Sequence, residues 1–156
     1  MKTINQEDFT KSLFSIFRET FEGSNTGMDN IFLDQNIGFF STLEEIDTKT
    51  ASLSAGNEGT TIAAHCEHAR FYLEFLNNFL SENYKMVDWK DSWAVKTVSE
   101  TEWTSLKGQI HKAYQNVSDT FGEIEEWNEH KVSGAMGILT HTAYHLGAIR
   151  QIIKYI

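Results

Sequence analysis

Apolar side chains recur at every third or fourth residue in several long segments of the chain. The segment from about 5 to 21 carries one such stripe: Phe9, Leu13, Ile16, Phe17 and Phe21. The segment from about 100 to 127 shows the pattern most clearly: Trp103, Leu106, Ile110, Ala113, Val117, Phe121 and Ile124. Ser99 and Glu102 form a capping-box pattern at its start. Both segments are predicted to be amphipathic helices.

Two more long helices are predicted from periodicity combined with cap residues. Thr60 is the expected N-cap of a helix that reaches Asn83 or Tyr84. Its apolar side is formed by Ile62, Ala69, Leu73, Leu76 and Leu80. Ser133 is expected to open a last helix from about 134 to 154. The apolar side of this helix is formed by Ile138, Ile149, Ile152 and Ile156.

An ancillary helix and two loops are predicted between the first two long helices. Residues from about 36 to 46 predict a shorter, ancillary helix that Gly38 interrupts. The stretches 22–27 and 52–59 have the composition of loops. Four long amphipathic helices without a strand pattern predict an all-α fold, and specifically a four-helix bundle.

Composition supports long helices and limits the classes of function. The chain contains no proline, so the commonest helix breaker is absent. The connection around Trp89 and Trp93 is expected to be packed down by its indoles rather than to form a regular element. With 156 residues and 40% hydrophobic content, residues 1–156 are expected to form a single domain.

The charge balance argues against nucleic-acid and membrane partners. The formal net charge is −9, whereas both kinds of surface attract clustered positive charge. No apolar stretch approaches the roughly 18 residues that a membrane span requires, and the first residues lack the apolar core of a signal peptide. We therefore expect a cytoplasmic protein. Cys66 is its only cysteine, so a metal site would depend on His, Asp or Glu.

Three of the six histidines fall on apolar stripes. With Ile138 at zero on a helical wheel, His141 and His145 lie at roughly −60° and −20°. With Ile62 at zero, His65 lies at roughly −60° on its own helix, and His68 lies on the edge of that stripe. His65 is therefore the better inward candidate of the two.

This pattern suits a metal ion. Residues four apart on a helix are stacked neighbours, so His141 and His145 can offer two imidazole nitrogens to one cation. His65 from a facing helix would complete a three-histidine set and leave a position for water or substrate. The pattern is not that of zinc proteases, because Thr142 stands where their general base Glu would follow the first His.

Simpler roles remain for these and other residues. A single inward histidine is commonly a hydrogen-bonded core residue, and His111 and His130 are expected to be solvated. Cys66 is expected to be a small core residue, with redox sensitivity as a minor alternative. Flanking side chains could line a cavity mouth or close the bundle: Tyr72, Tyr144, Arg150 and Gln151.

Two segments resemble the DinB-like family of metal-dependent enzymes, which is related to bacterial thiol-dependent S-transferases. They are Thr60–His68, which reads Thr-Thr-Ile-Ala-Ala-His-Cys-Glu-His, and His141–Gln151, with its Ala-Tyr-His-Leu-Gly-Ala-Ile-Arg-Gln run. The resemblance implies an up-down-down-up four-helix bundle and frequently a homodimer. It also implies a divalent metal on His65, His141 and His145, the same residues that the wheel selects.

The leading hypothesis is a metalloenzyme. Zn or Ni on the three histidines would activate water or a low-molecular-weight thiol for hydrolysis or S-transfer, with a small molecule as substrate. The alternative is a non-catalytic helical bundle that binds a metal or another ligand, or whose histidines are structural. The sequence leaves the substrate, the metal and the reaction type open, because many members of the family lack assigned reactions.

Overall fold

The computed structural model of the chain describes residues 3–24, 30–56 and 59–156. Its six α-helices in this part of the chain are α1 (Gln6–Glu22), α2 (Phe39–Glu44), α3 (Thr48–Ala51), α4 (Ile62–Leu80), α5 (Glu100–Glu123) and α6 (Glu129–Tyr155). A 3₁₀ helix spans Asp91–Trp93, and the described residues form no strand beyond an isolated bridge between Ser54 and Thr61. The all-α class predicted from the sequence is confirmed.

The long helices begin at side chains that satisfy free backbone N–H groups. The capping box of α5 is confirmed, because Ser99 and Glu102 each bond the other's backbone N–H. Two predicted caps are wrong. Thr61, rather than Thr60, accepts a hydrogen bond from Ala64 N at 3.1 Å and opens α4.

The last helix starts earlier than predicted. Asn128 Oδ1 accepts from Lys131 N at 2.9 Å, so α6 begins at Glu129 and Ser133 lies inside it. An asparagine cap ahead of the predicted serine thus adds about a turn to the helix. Helix α5 is shorter than predicted, because the backbone at Ile124 is already extended.

The ancillary helix is two shorter ones. Gly38 does not interrupt a helix but stands at the N-cap of α2, and Asp47 caps the separate α3. Gly38 is needed there because its Cα passes the end of α1, where an added Cβ would lie 2.5 Å from Gly23 N. Both predicted loops, 22–27 and 52–59, lie partly outside the described residues.

The four long helices bury a common apolar core. Helix α4 packs against α5 and α6, and α1 packs against the same two helices. Aromatic rings fill the end of the core near α1, where Phe17 stacks on Tyr114 with centroids 5.1 Å apart. Phe21 and Phe121 also contact Phe17 and are at most 1% exposed. Among the described residues, no helix combines the length and the hydropathy needed to cross a bilayer.

A buried carboxylate ties the chain after the first loop to α1. Glu19 is 4% exposed and accepts hydrogen bonds from three consecutive backbone N–H groups, those of Ile31, Phe32 and Leu33, at 2.8, 2.9 and 2.7 Å. Hydrogen bonds to an ionised acceptor are stronger than neutral ones. Glu19 is therefore a structural acid and not a candidate for catalysis.

Replacing Glu19 by glutamine is expected to lower the free energy of unfolding by about 2 kcal/mol. The amide keeps one oxygen, but its NH₂ group must face a backbone donor that the carboxylate now satisfies. Urea unfolding followed by circular dichroism measures the change. Glu7→Gln is the matched control on the same helix, because Glu7 is exposed and pairs with Lys11 at the surface. Equal stability of the two variants would contradict this role.

Candidate metal centre

Four histidines meet between α4 and α6. His65 and His68 come from the first two turns of α4, and His141 and His145 come from successive turns of α6. His65, His68 and His145 are 7%, 9% and 1% exposed, and His141 is half-buried. His65 contacts His145, and His68 lies with His141 and His145.

The tightest group contains His68 rather than His65. His68 Nε2 lies 3.1 Å from His141 Nε2, which lies 3.2 Å from His145 Nε2. One ligand atom from each of these three rings lies within 4.8 Å of the others. Zinc–imidazole bonds of 2.0–2.1 Å in a tetrahedron place the nitrogens about 3.3 Å apart. The short distances in the group are close to this value.

The three Nε2 atoms could share one partner. A proton on His141 Nε2 can be donated to only one of its two neighbours, so hydrogen bonding among the rings leaves nitrogen lone pairs facing one another. A cation would satisfy all three nitrogens at once. The donor set fits a divalent metal that favours imidazole, which includes Zn, Ni, Cu and Fe.

His65 contacts the group from outside. Its Nδ1 lies 2.8 Å from His145 Nδ1, on the side of that ring away from the Nε2 that faces His141. Its Nε2 lies 2.7 Å from Thr60 Oγ1. The predicted role of His65 as a ligand stays a prediction, and the distances favour His68.

Aromatic rings hold two of the imidazoles in place. Trp93 stacks on His68, with centroids 4.1 Å apart and the planes 19° apart. Tyr72 stacks on His141 at 3.5 Å and 12°. Trp93 lies outside the long helices, in the 3₁₀ helix Asp91–Trp93. This short helix packs against α4 and covers the edge of the apolar stripe on which the helical wheel places His68. This cover explains why a residue on the edge of the stripe is buried.

Ser92 links the same segment to the site. It is 0% exposed, and its Oγ lies 2.6 Å from His68 Nδ1 and donates to Trp89 O at 2.6 Å. A serine beside two tryptophans in a connection is a weak sequence signal, and the sequence analysis missed it. The expectation that indoles pack down this connection is confirmed for Trp93, although the segment does form a short 3₁₀ helix.

The cluster keeps its imidazoles neutral. Burial lowers the pKa of His65 and His68, and it lowers the pKa of His141 to about 4. Burial, helped by the neighbouring imidazoles, lowers the pKa of His145 to about 3. Neutral imidazole is the form that binds metals, so the site presents ligands in the correct protonation state at neutral pH.

The remaining candidates lie apart from the cluster. His111 and His130 are exposed, as predicted, and stack on Phe40 and Phe79. Cys66 is fully buried, and burial raises the pKa of its thiol, which argues against redox sensitivity. Tyr144 is 69% exposed and so does not close the bundle.

A cavity of about 570 Å³ adjoins the cluster. Thr60 and Trp93, which contact His65 and His68, belong to its wall. Its other lining residues include Ser52, Thr61, Ala64 and Lys96. The volume is within the range of small-molecule sites, which runs from roughly 300 to 1,000 Å³.

Comparisons with protein-family models, with curated proteins and with solved structures found no match to this chain. The geometry of the histidine cluster is therefore what bears on function. It establishes close, buried histidines that could hold a divalent metal ion.

Proposed function

We propose that this protein is a metal-dependent enzyme of the DinB-like type, with a divalent cation held by His68, His141 and His145. The observation that carries the proposal is the convergence of their three Nε2 atoms at 3.1 and 3.2 Å. The four long helices would form the up-down-down-up bundle of that family, in a homodimer. Zn or Ni is the proposed metal.

The reaction we favour is hydrolysis or S-transfer on a small molecule. A bound divalent metal supplies Lewis acidity that makes water or a thiol nucleophilic near neutral pH. Three protein ligands leave a coordination position for that nucleophile, as in catalytic rather than structural sites. Trp93 covers His68 on one side and lines the cavity on the other, so it would both exclude water from the ligand and contact the substrate.

Metal content tests the proposal directly. Untagged protein purified without chelator is expected to contain near-stoichiometric metal by elemental analysis. His68→Ala, His141→Ala and His145→Ala are each expected to lose most of it, because two imidazoles bind far more weakly than three. His111→Ala is the matched control, since it removes an exposed histidine from the same chain. Metal-free wild-type protein under every loading condition would refute the site.

Activity requires a separate test. The metal-loaded protein is to be assayed with activated esters and with pairs of a low-molecular-weight thiol and a small electrophile. Turnover that disappears in His141→Ala supports the enzyme. A loaded protein that is inert throughout the panel would favour the alternative, a non-catalytic metal-binding bundle. The hydroxyls of Thr60 and Ser92, which bond His65 and His68, are compatible with that alternative because a hydroxyl is not a general base at neutral pH.

A further inference from the structure

The proposed ligand set leaves His65 without a function, although it is buried against the cluster. Its two ring nitrogens each have one close partner, His145 Nδ1 at 2.8 Å and Thr60 Oγ1 at 2.7 Å. A histidine held at both nitrogens has a defined ring orientation. His145, His65 and Thr60 thus form a hydrogen-bonded chain, which runs from the proposed ligand His145 to Thr60 in the wall of the cavity.

The protonation of this chain follows from its end at the metal. A ring that binds a cation through Nε2 carries its proton on Nδ1, so His145 would donate from Nδ1. The acceptor within reach is His65 Nδ1, which must then be unprotonated. The His65 ring therefore carries its proton on Nε2. That Nε2–H in turn donates to Thr60 Oγ1. Every nitrogen in the chain is satisfied by one arrangement of protons.

His68 is supported in the same manner. Its Nδ1 lies 2.6 Å from Ser92 Oγ, and the Ser92 hydroxyl donates a hydrogen bond to Trp89 O. Two of the three proposed ligands thus donate their outer N–H to a buried partner from another part of the chain. Such partners fix the ring orientation of a ligand and raise its basicity, and their loss typically weakens metal binding by about 10- to 100-fold.

The distances distinguish this arrangement from ligation by His65. The separation of 2.8 Å between the two Nδ1 atoms is that of a hydrogen bond and is shorter than the roughly 3.3 Å between nitrogens that share a tetrahedral zinc. In addition, His145 would have to bind through Nδ1 to share a metal with His65. The His145 Nε2 atom would then no longer bind the same metal as His68 and His141.

We infer that His65 is a positioning residue, which accepts the Nδ1–H of His145 and thereby holds the His145 Nε2 lone pair toward the metal. This inference depends on the proposed function, because it assumes that His145 binds a metal. It replaces the role in which the sequence places His65. Thr60 completes the arrangement by accepting from His65 Nε2–H.

The test compares two substitutions at this position. His65→Asn keeps an acceptor, because the amide Oδ1 occupies the place of Nδ1, whereas His65→Leu keeps only the volume. Zn²⁺ affinity is measured by competition with a chromophoric chelator, and the Co²⁺-loaded proteins are compared by visible absorption. We expect His65→Leu to bind about 10- to 100-fold more weakly, at unchanged stoichiometry. His65→Asn is expected to bind within a few-fold of the wild-type protein, with the same Co²⁺ bands.

Thr60→Val provides a variant that does not depend on tolerance of a change in the core. Thr60 is exposed, so this protein is expected to fold and to bind Zn²⁺ more weakly than wild type, though less so than His65→Leu. Thermal unfolding in metal-free buffer shows that each variant is folded before its affinity is compared.

Each contrary result has a distinct meaning. If both His65 variants lose stoichiometric metal and shift the Co²⁺ bands, His65 is a ligand and the positioning role is wrong. If all the proteins bind equally, His65 has no role in binding, and the metal site itself stands. If the wild-type protein binds no metal, the proposed function fails and the positioning role fails with it.

Discussion

Addition of Zn²⁺ to the metal-free protein is expected to raise its unfolding temperature by about 8–16 °C. A ligand present at 1,000 times its Kd stabilises the folded state by about 4 kcal/mol, and each kcal/mol corresponds to about 2–4 °C in a chain of this size. The metal acts on the folded state because its proposed ligands belong to α4 and α6, which meet only after folding. Differential scanning calorimetry with and without the metal measures the shift.

The shift, rather than the unfolding temperature itself, identifies the site. His145→Ala leaves a cavity in the core and is expected to be less stable without metal, so only its response to Zn²⁺ is informative. That response should be close to zero. His111→Ala should respond like the wild-type protein. A full shift in His145→Ala would place the bound metal elsewhere.

The size of the shift also bears on catalysis. A structural metal commonly determines whether a small domain folds at all. Here much of the core consists of apolar side chains that pack on one another, such as Phe17, Phe21 and Phe121. The metal-free protein is therefore expected to fold. A metal that folding does not require is free to serve in catalysis. Loss of helical circular dichroism on chelation would support the structural alternative instead.

Helix positions could be predicted from the sequence because they depend on local signals. Periodicity locates α1, α4, α5 and α6, and the capping box fixes the start of α5. The start of α4 is wrong by one residue because two neighbouring residues can serve as its cap. Thr60 and Thr61 both have a hydroxyl, but the Thr60 hydroxyl bonds the His65 ring, whereas the Thr61 hydroxyl bonds the helix backbone.

The site was only partly predictable for a similar reason. A helical wheel gives the direction of a side chain from its own axis, and on that measure His65 is more inward than His68. The burial and orientation of each histidine depend instead on the residues that pack against its ring. Ser92 and Trp93 lie in a connection with no regular pattern, yet they bury and orient His68. His141 and His145 were identified correctly as neighbours because their spacing alone places them together.

Acidification is expected to destabilise the metal-free protein below about pH 6.5, more steeply than surface histidines alone would produce. Burial lowers the pKa of His145 to about 3 and that of His141 to about 4, whereas the unfolded chain takes up these protons near pH 6.5. The unfolded state then binds more protons than the folded state, so stability is complete above pH 6.5 and decreases as the pH falls. For His145 the loss between pH 6.5 and 5 is up to about 2 kcal/mol, from 1.36 kcal/mol for each pH unit.

Urea unfolding in EDTA at pH 7 and pH 5 measures this dependence. His145→Gln removes the buried titrating ring, so its stability should fall less between the two pH values than that of the wild-type protein. His111→Gln is the matched control, because it removes an exposed histidine that does not belong to the cluster. Carboxylates contribute equally to all three proteins and cancel in the comparison. Parallel curves for wild type and His145→Gln would mean that the His145 imidazole is as easily protonated in the folded chain as in the unfolded one. That result would contradict the lowered pKa of a ring that is 1% exposed among three other imidazoles.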